Sequence, residues 1–157
     1  MANITYLNFK KEDKPSQYQL LNYLKEINTK YFDSKFEIFI DEHDQYNFKL
    51  TESFEEDWAI NLELEVEDTY ISHKHRMNMF GEYLMDKVFS LLSQKIPNSY
   101  GTDEGLGDEE TFQFPLHNSF MDFLKLRFET TTLWLKPLNY LLKNSILKSL
   151  PKSLRRL

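Results

Sequence analysis

The sequence predicts an α+β fold: a single domain with a mainly antiparallel sheet of about four strands, helices packed on one face, and a helical C-terminal segment. Three observations carry this expectation. Residues 58–68, WAINLELEVED, alternate apolar and polar side chains with a period of two, as does a strand with one face on a core and one in water. Residues 16–31 and 76–95 repeat apolar side chains at helical spacing. The chain has 157 residues, 41% hydrophobic and 15% aromatic, which suits one core, and only four Gly and five Pro leave little for long linkers.

The elements follow in order. NITYLNF (3–9) reads as a short strand with Ile4, Tyr6 and Asn8 on one face. Pro15 and Ser16 mark the start of a helix over about 16–31, whose stripe is Leu20, Leu21, Leu24, Ile27 and Tyr31. KFEIFID (35–41) and YNFKL (46–50) form the second and third strands, joined as a hairpin by EHDQ. TESFEED leads into the long alternating strand. Short links between successive strands favour an antiparallel meander.

The helix at about 76–95 buries Phe80, Leu84, Val88, Leu91 and Leu92, and Pro97 lies just past its end. NSYGTDEGLGDEE (98–110) holds three of the four glycines and five acids, so it is expected to be an exposed loop. The helical pattern resumes at Asn118. The run TTTLWL at 130–135 fits strand and helix alike. Pro137 opens a last helix, PLNYLLKNSILKSL, closed by Pro151, and SLRRL is expected to fray.

Net charge is −6 but unevenly spread: residues 117–157 carry eight Lys/Arg against two acids, and the remainder 11 against 23. The acidic body argues against direct nucleic-acid binding, which needs Lys and Arg at phosphates. With no Cys there is no disulfide, thiolate metal site or cysteine nucleophile. MANITYLNFKKEDK lacks the pattern of a secretory signal, and no apolar run approaches the ~20 residues of a membrane span. A cytoplasmic protein is the expectation, and abundant Asn, Lys, Ile and Phe fit an AT-rich bacterial gene.

The acidic strand raises the functional question. Between Thr51 and Tyr70 stand eight carboxylates and no Lys or Arg. Charge of one sign at this density repels itself, so solubility alone does not require it. The candidate partner-binding residues are Glu55, Glu56, Asp57, Glu63, Glu65, Glu67 and Asp68, with Asp103, Glu104, Asp108, Glu109 and Glu110 of the acidic loop as a second patch. The plain alternative is a solvated face whose ion-pair partners lie elsewhere in the chain.

Other motifs point to weaker alternatives. In SHKHR, His73 and His75 would share one face of a strand and with a carboxylate could ligate a divalent metal, but Lys74 and Arg76 oppose a cation and no third ligand is spaced to them. A surface element joining strand to helix is the simpler expectation there. The GTDEGLGDEE loop lacks the EF-hand and phosphate-loop patterns. Residues 137–157 could lie on a membrane as an amphipathic helix, although such helices commonly pack on a core.

With no G-x-S-x-G and few glycines, nucleophilic catalysis finds no support. The expected function is therefore a non-enzymatic, protein-binding inhibitor of the immunity or antitoxin type. It would neutralise a basic toxin, a nuclease for example, by covering its cleft with an acidic surface. No catalytic residue, metal or cofactor is assigned. The alternatives are a small metal- or ligand-binding enzyme centred on His73 and His75, and a membrane or scaffold module using the C-terminal helix.

Overall fold

The computed structural model describes residues 4–51, 60–74, 78–104 and 110–129, together with Lys148, Leu150, Leu154 and Leu157. Among these run β1 (Ile4–Asn8), α1 (Gln17–Tyr31), β2 (Phe36–Ile40), β3 (Tyr46–Leu50), β4 (Asn61–Val66), β5 (Tyr70–Lys74), α2 (Met79–Lys95), β6 (Tyr100–Asp103) and α3 (Phe120–Glu129). The strands form one six-stranded sheet in the order β2-β3-β4-β5-β1-β6, antiparallel throughout. The α+β class and the β2-β3-β4 meander hold as the sequence predicts. The strand count is corrected from about four to six.

Both added strands come from segments expected to be irregular. YISHK is β5, a central strand between β4 and β1, so the surface element expected around SHKHR is wrong for His73. YGTD is β6, pairing with β1 from Thr5↔Asp103 to Asn8↔Tyr100, so the expected loop 98–110 begins as an edge strand. The segments 52–59, 75–77, 105–109 and 130–147 lie outside the described residues, and with them Trp58, Ala59, the 130–135 question and most of the expected last helix.

Local chemistry fixes the starts and turns. Ser16 Oγ accepts the Gln19 N–H at 3.2 Å while Gln19 Oε1 accepts the Ser16 N–H at 2.9 Å, a capping box that begins α1. Asn78 Oδ1 accepts the Gly81 N–H at 2.9 Å and begins α2. In the β2-β3 turn, Asp41 Oδ1 accepts the N–H groups of His43 and Gln45 at 2.8 and 3.1 Å, and Asp44 adopts a left-handed φ of 59°.

The alternation of β4 sorts the sheet's two faces. Leu62 and Leu64 are fully buried, whereas Glu63 and Glu65 are exposed, so the core and the helices lie on the leucine side. Across this inner face, cross-strand register aligns Tyr46, Leu64, His73, Thr5 and Asp103. Phe32 of the α1 C-cap packs on Phe36 and Phe48 with ring centroids 5.4 and 5.7 Å away. Helix α2 is buried on nearly every side: α3 packs against it, with Phe120 set 5.1 Å from Phe80 and Phe123 5.8 Å from Tyr83. Each such fully buried side chain contributes about 1.5–3 kcal/mol.

The chain end is not frayed at its described residues. Leu150, Leu154 and Leu157 are buried in the same core, and the Tyr83 hydroxyl donates to the Leu157 carbonyl. Lys87 of α2 lies beneath them, its ammonium donating to the Tyr83 hydroxyl at 3.0 Å and facing the rings of Tyr31, Phe32 and Tyr83. Burial lowers its pKa.

Candidate functional site

The outer face of the sheet, opposite the helices, carries the acids read from β4. Glu63 stands beside Asn47 of β3, and Glu65 beside the short, buried Ser72 of β5. Glu67 is exposed just past the strand, its N–H donating to the Tyr70 carbonyl at 2.9 Å. Among these acids sit two tyrosines: Tyr6 of β1 faces Ser72, and Tyr70 of β5 meets it edge to face with ring centroids 5.2 Å apart. The Tyr70 hydroxyl is held above its ordinary pKa by partial burial and by the charges of Glu67 and Glu65. The patch is thus amphipathic, with aromatic surface flanked by carboxylates on the β4 side.

The patch is narrower than the sequence implies. Asp68 is turned to the chain's own lysines, with Lys11 and Lys14 each 3.1 Å from its carboxylate oxygens, and these lower its pKa. Lys49 lies beside Glu37 on the same face, and Lys74 is exposed at the end of β5. Asp103 is corrected from the exposed patch: it is half-buried on the inner side of β6, where it accepts the Thr5 hydroxyl. Glu104 and Glu110 are exposed near that edge. Glu55, Glu56, Asp57, Asp108 and Glu109 lie outside the described residues.

Of the histidine pair, only His73 lies among the described residues. His73 is 3% exposed on the inner face, its Nδ1 donating to the Glu63 carbonyl at 2.9 Å. His75 lies outside the described residues, and among those described no group of three His, Asp or Glu could hold a metal ion. His43 lies in the exposed β2-β3 turn, 3.5 Å from Glu42.

A second candidate, missed in the sequence, is a cleft of about 270 Å³ where α2 and α3 meet the β6 edge. Its polar lining is Thr5, Glu82, Asp86, Asp103 and Arg127; its walls include Phe112, Phe114 and Phe123. Arg127 of α3 pairs with Glu82 of α2 at 2.6 Å. Burial, reinforced by Glu82 and Asp103, pushes the Asp86 carboxyl up to about 7. His117 Nε2 lies 3.8 Å from Asp86 Oδ2, and burial lowers the His117 pKa. Below about pH 7 the Asp86 carboxyl keeps its proton, so a neutral acid rather than a carboxylate faces His117.

This cleft had only a faint signal. Glu82 and Asp86, four residues apart on α2, have the spacing of a solvated helix face, and Asp103 sat in an apparent loop. Only the burial of α2 on nearly all sides turns Asp86 inward.

No protein-family profile, curated protein or solved structure matches this chain. Among the described residues no helix is long and apolar enough to cross a membrane.

Proposed function

We propose that this chain is a non-enzymatic protein-binding inhibitor of the immunity or antitoxin type, acting in the cytoplasm on a basic toxin. One observation supports the reading above the rest: on the sheet face turned away from the helices, the acids Glu63, Glu65 and Glu67 run along the β4 side of the Tyr6–Tyr70 pair. Carboxylates speed encounter with a cationic surface and select it, while tyrosines supply contact area at low entropic cost. A nuclease is the toxin class that best matches, because its phosphate-binding cleft must be basic. The acids would meet the groups that otherwise hold phosphate, and the inhibitor would block by occlusion without turnover.

The test is a kinetic one against a basic toxin of nuclease type. Glu63→Lys together with Glu65→Lys is expected to slow association by about tenfold or more at low salt, with the thermal midpoint of the free protein nearly unchanged. An unchanged association rate would contradict the reading.

A second reading has its own support. The Asp86 carboxyl, held near 7 in an aromatic-walled cleft, is suited to proton transfer or to a small cationic ligand. This centre is separate from His73 and His75. Stabilisation of the protein by a small amine, lost in Asp86→Asn, would favour it.

A further inference from the structure

Strand β2 is one end of the sheet, and its hydrogen-bonding alternation can be read residue by residue. Phe36 turns its N–H and C=O away from β3 to the side chain of Asn28, at 3.1 and 2.7 Å. Opposite it, Leu50 donates to Ile60 rather than to β2, and at the other end Asp41 donates inward to Gln45. In an antiparallel ladder the groups alternate, so Glu37 and Phe39 bond to β3 while Ile38 and Ile40 direct their N–H and C=O outward. Among the described residues no strand pairs with that outer edge. The strand reads Phe-Glu-Ile-Phe-Ile, without the Lys or Pro that usually blunts an exposed edge.

We infer that this edge is a docking site for an extended, basic segment of the partner, which adds to the sheet as an antiparallel strand beside Ile38 and Ile40. The inference rests on the reading of the partner as basic, and it names where a strand of that partner would sit.

Charge decides the occupant. A second copy, paired so that the outward groups of Ile38 and Ile40 meet those of its own Ile40 and Ile38, would set Glu37 opposite Asp41 twice. Like charges directly across a ladder are destabilising, and each copy carries −6 overall. Although Lys49 stands beside Glu37 from the β3 side and Asp41 holds the turn, the same geometry favours a strand with Lys or Arg opposite these two acids, and an aromatic or β-branched residue opposite Phe39 between them. On the inner side, a groove of about 520 Å³ opens beside Ile40, with Pro15, Tyr46 and Val66 as its apolar lining and Lys14, Ser16, Gln17, Gln19 and Asp44 as its polar lining. Backbone bonds would supply affinity, and these alternate side chains specificity.

The test uses the full chain and three blocked peptides: Thr-Lys-Ile-Tyr-Ile-Lys-Thr, the same peptide N-methylated at both Ile residues, and its Lys-to-Glu counterpart. Amide exchange is followed residue by residue. The expected result is that saturating Lys peptide alone slows exchange at Ile38 and Ile40 by about tenfold or more. Ile38→Pro, which removes an outward N–H and leaves the β3 ladder intact, is expected to fold with a similar melting temperature and to lose peptide protection at Ile40.

Protection confined to the strands around Glu63, Glu65 and Glu67 would overturn the edge assignment while leaving the acidic-face reading standing. Equal protection by the Lys and Glu peptides would overturn the charge argument. Concentration-dependent protection without peptide would assign the edge to a second copy instead. No protection by any peptide would also overturn the inference. Failure of the acidic-face reading shows separately, as charge reversal at Glu63 and Glu65 that leaves toxin association unchanged.

Discussion

The Asn28 side chain closes the first residue of β2 with two buried hydrogen bonds, donating to the Phe36 carbonyl at 2.7 Å and accepting its N–H at 3.1 Å. One amide thus stands in for a neighbouring strand and joins the end of α1 to the sheet edge. Asn28→Ala leaves two buried main-chain groups unsatisfied and is expected to cost about 3 kcal/mol. Urea unfolding should show a lower midpoint with an unchanged slope.

Gly101 of β6 and Phe112 exchange two backbone hydrogen bonds, at 2.7 and 3.0 Å, and the Phe112 ring lies over the glycine. A Cβ there would come within 2.5 to 2.9 Å of that ring. Gly101→Ala therefore displaces a wall of the cleft, with an expected loss of about 1–3 kcal/mol. A lowered melting temperature checks it, and a second change, Phe112→Leu, should recover part of the loss.

The buried Asp86 gives a pH dependence whose sign follows from its environment. Because its folded pKa is raised from 3.8 to about 7, the folded state keeps a proton that the unfolded state has released between those values. Its stabilising contribution is full below about pH 4 and is lost as pH rises through about 7. The ceiling on that change is about 4 kcal/mol. His117, whose folded pKa is lowered, acts in the opposite sense, favouring the fold as pH rises through the ordinary histidine range. Comparing Asp86→Asn with the parent isolates the carboxyl: the variant should lose the downward slope and be the more stable protein at about pH 8.

Strong periodicity was legible, and polar interiors were not. Leu62 and Leu64 against Glu63 and Glu65 announce β4, and Leu20, Leu24 and Ile27 announce α1, because the solvent boundary runs along each element. Strand β5 hid because a central strand need not alternate cleanly: Ile71, Ser72 and His73 are all buried, and His73 finds a carbonyl rather than an apolar neighbour. Strand β6 hid because Tyr-Gly-Thr-Asp is short, and its glycine is explained by a ring from a distant residue. The acids of the outer face were visible as a run, but which of them the chain neutralises itself was not. Asp68 meets Lys11 and Lys14 only through tertiary pairing, and Asp103 meets Thr5 only once β6 is beside β1.

The most direct measurement of the central claim is parallel affinity retention from extracts of the source organism by the parent chain and by Glu63→Gln/Glu65→Gln/Glu67→Gln, eluting with rising salt. The account predicts one basic protein held by the parent at low salt, released as salt screens the contact, and absent from the triple variant, with both proteins melting at nearly the same temperature. Equal retention of the same protein by parent and variant, with the same salt dependence, would contradict it.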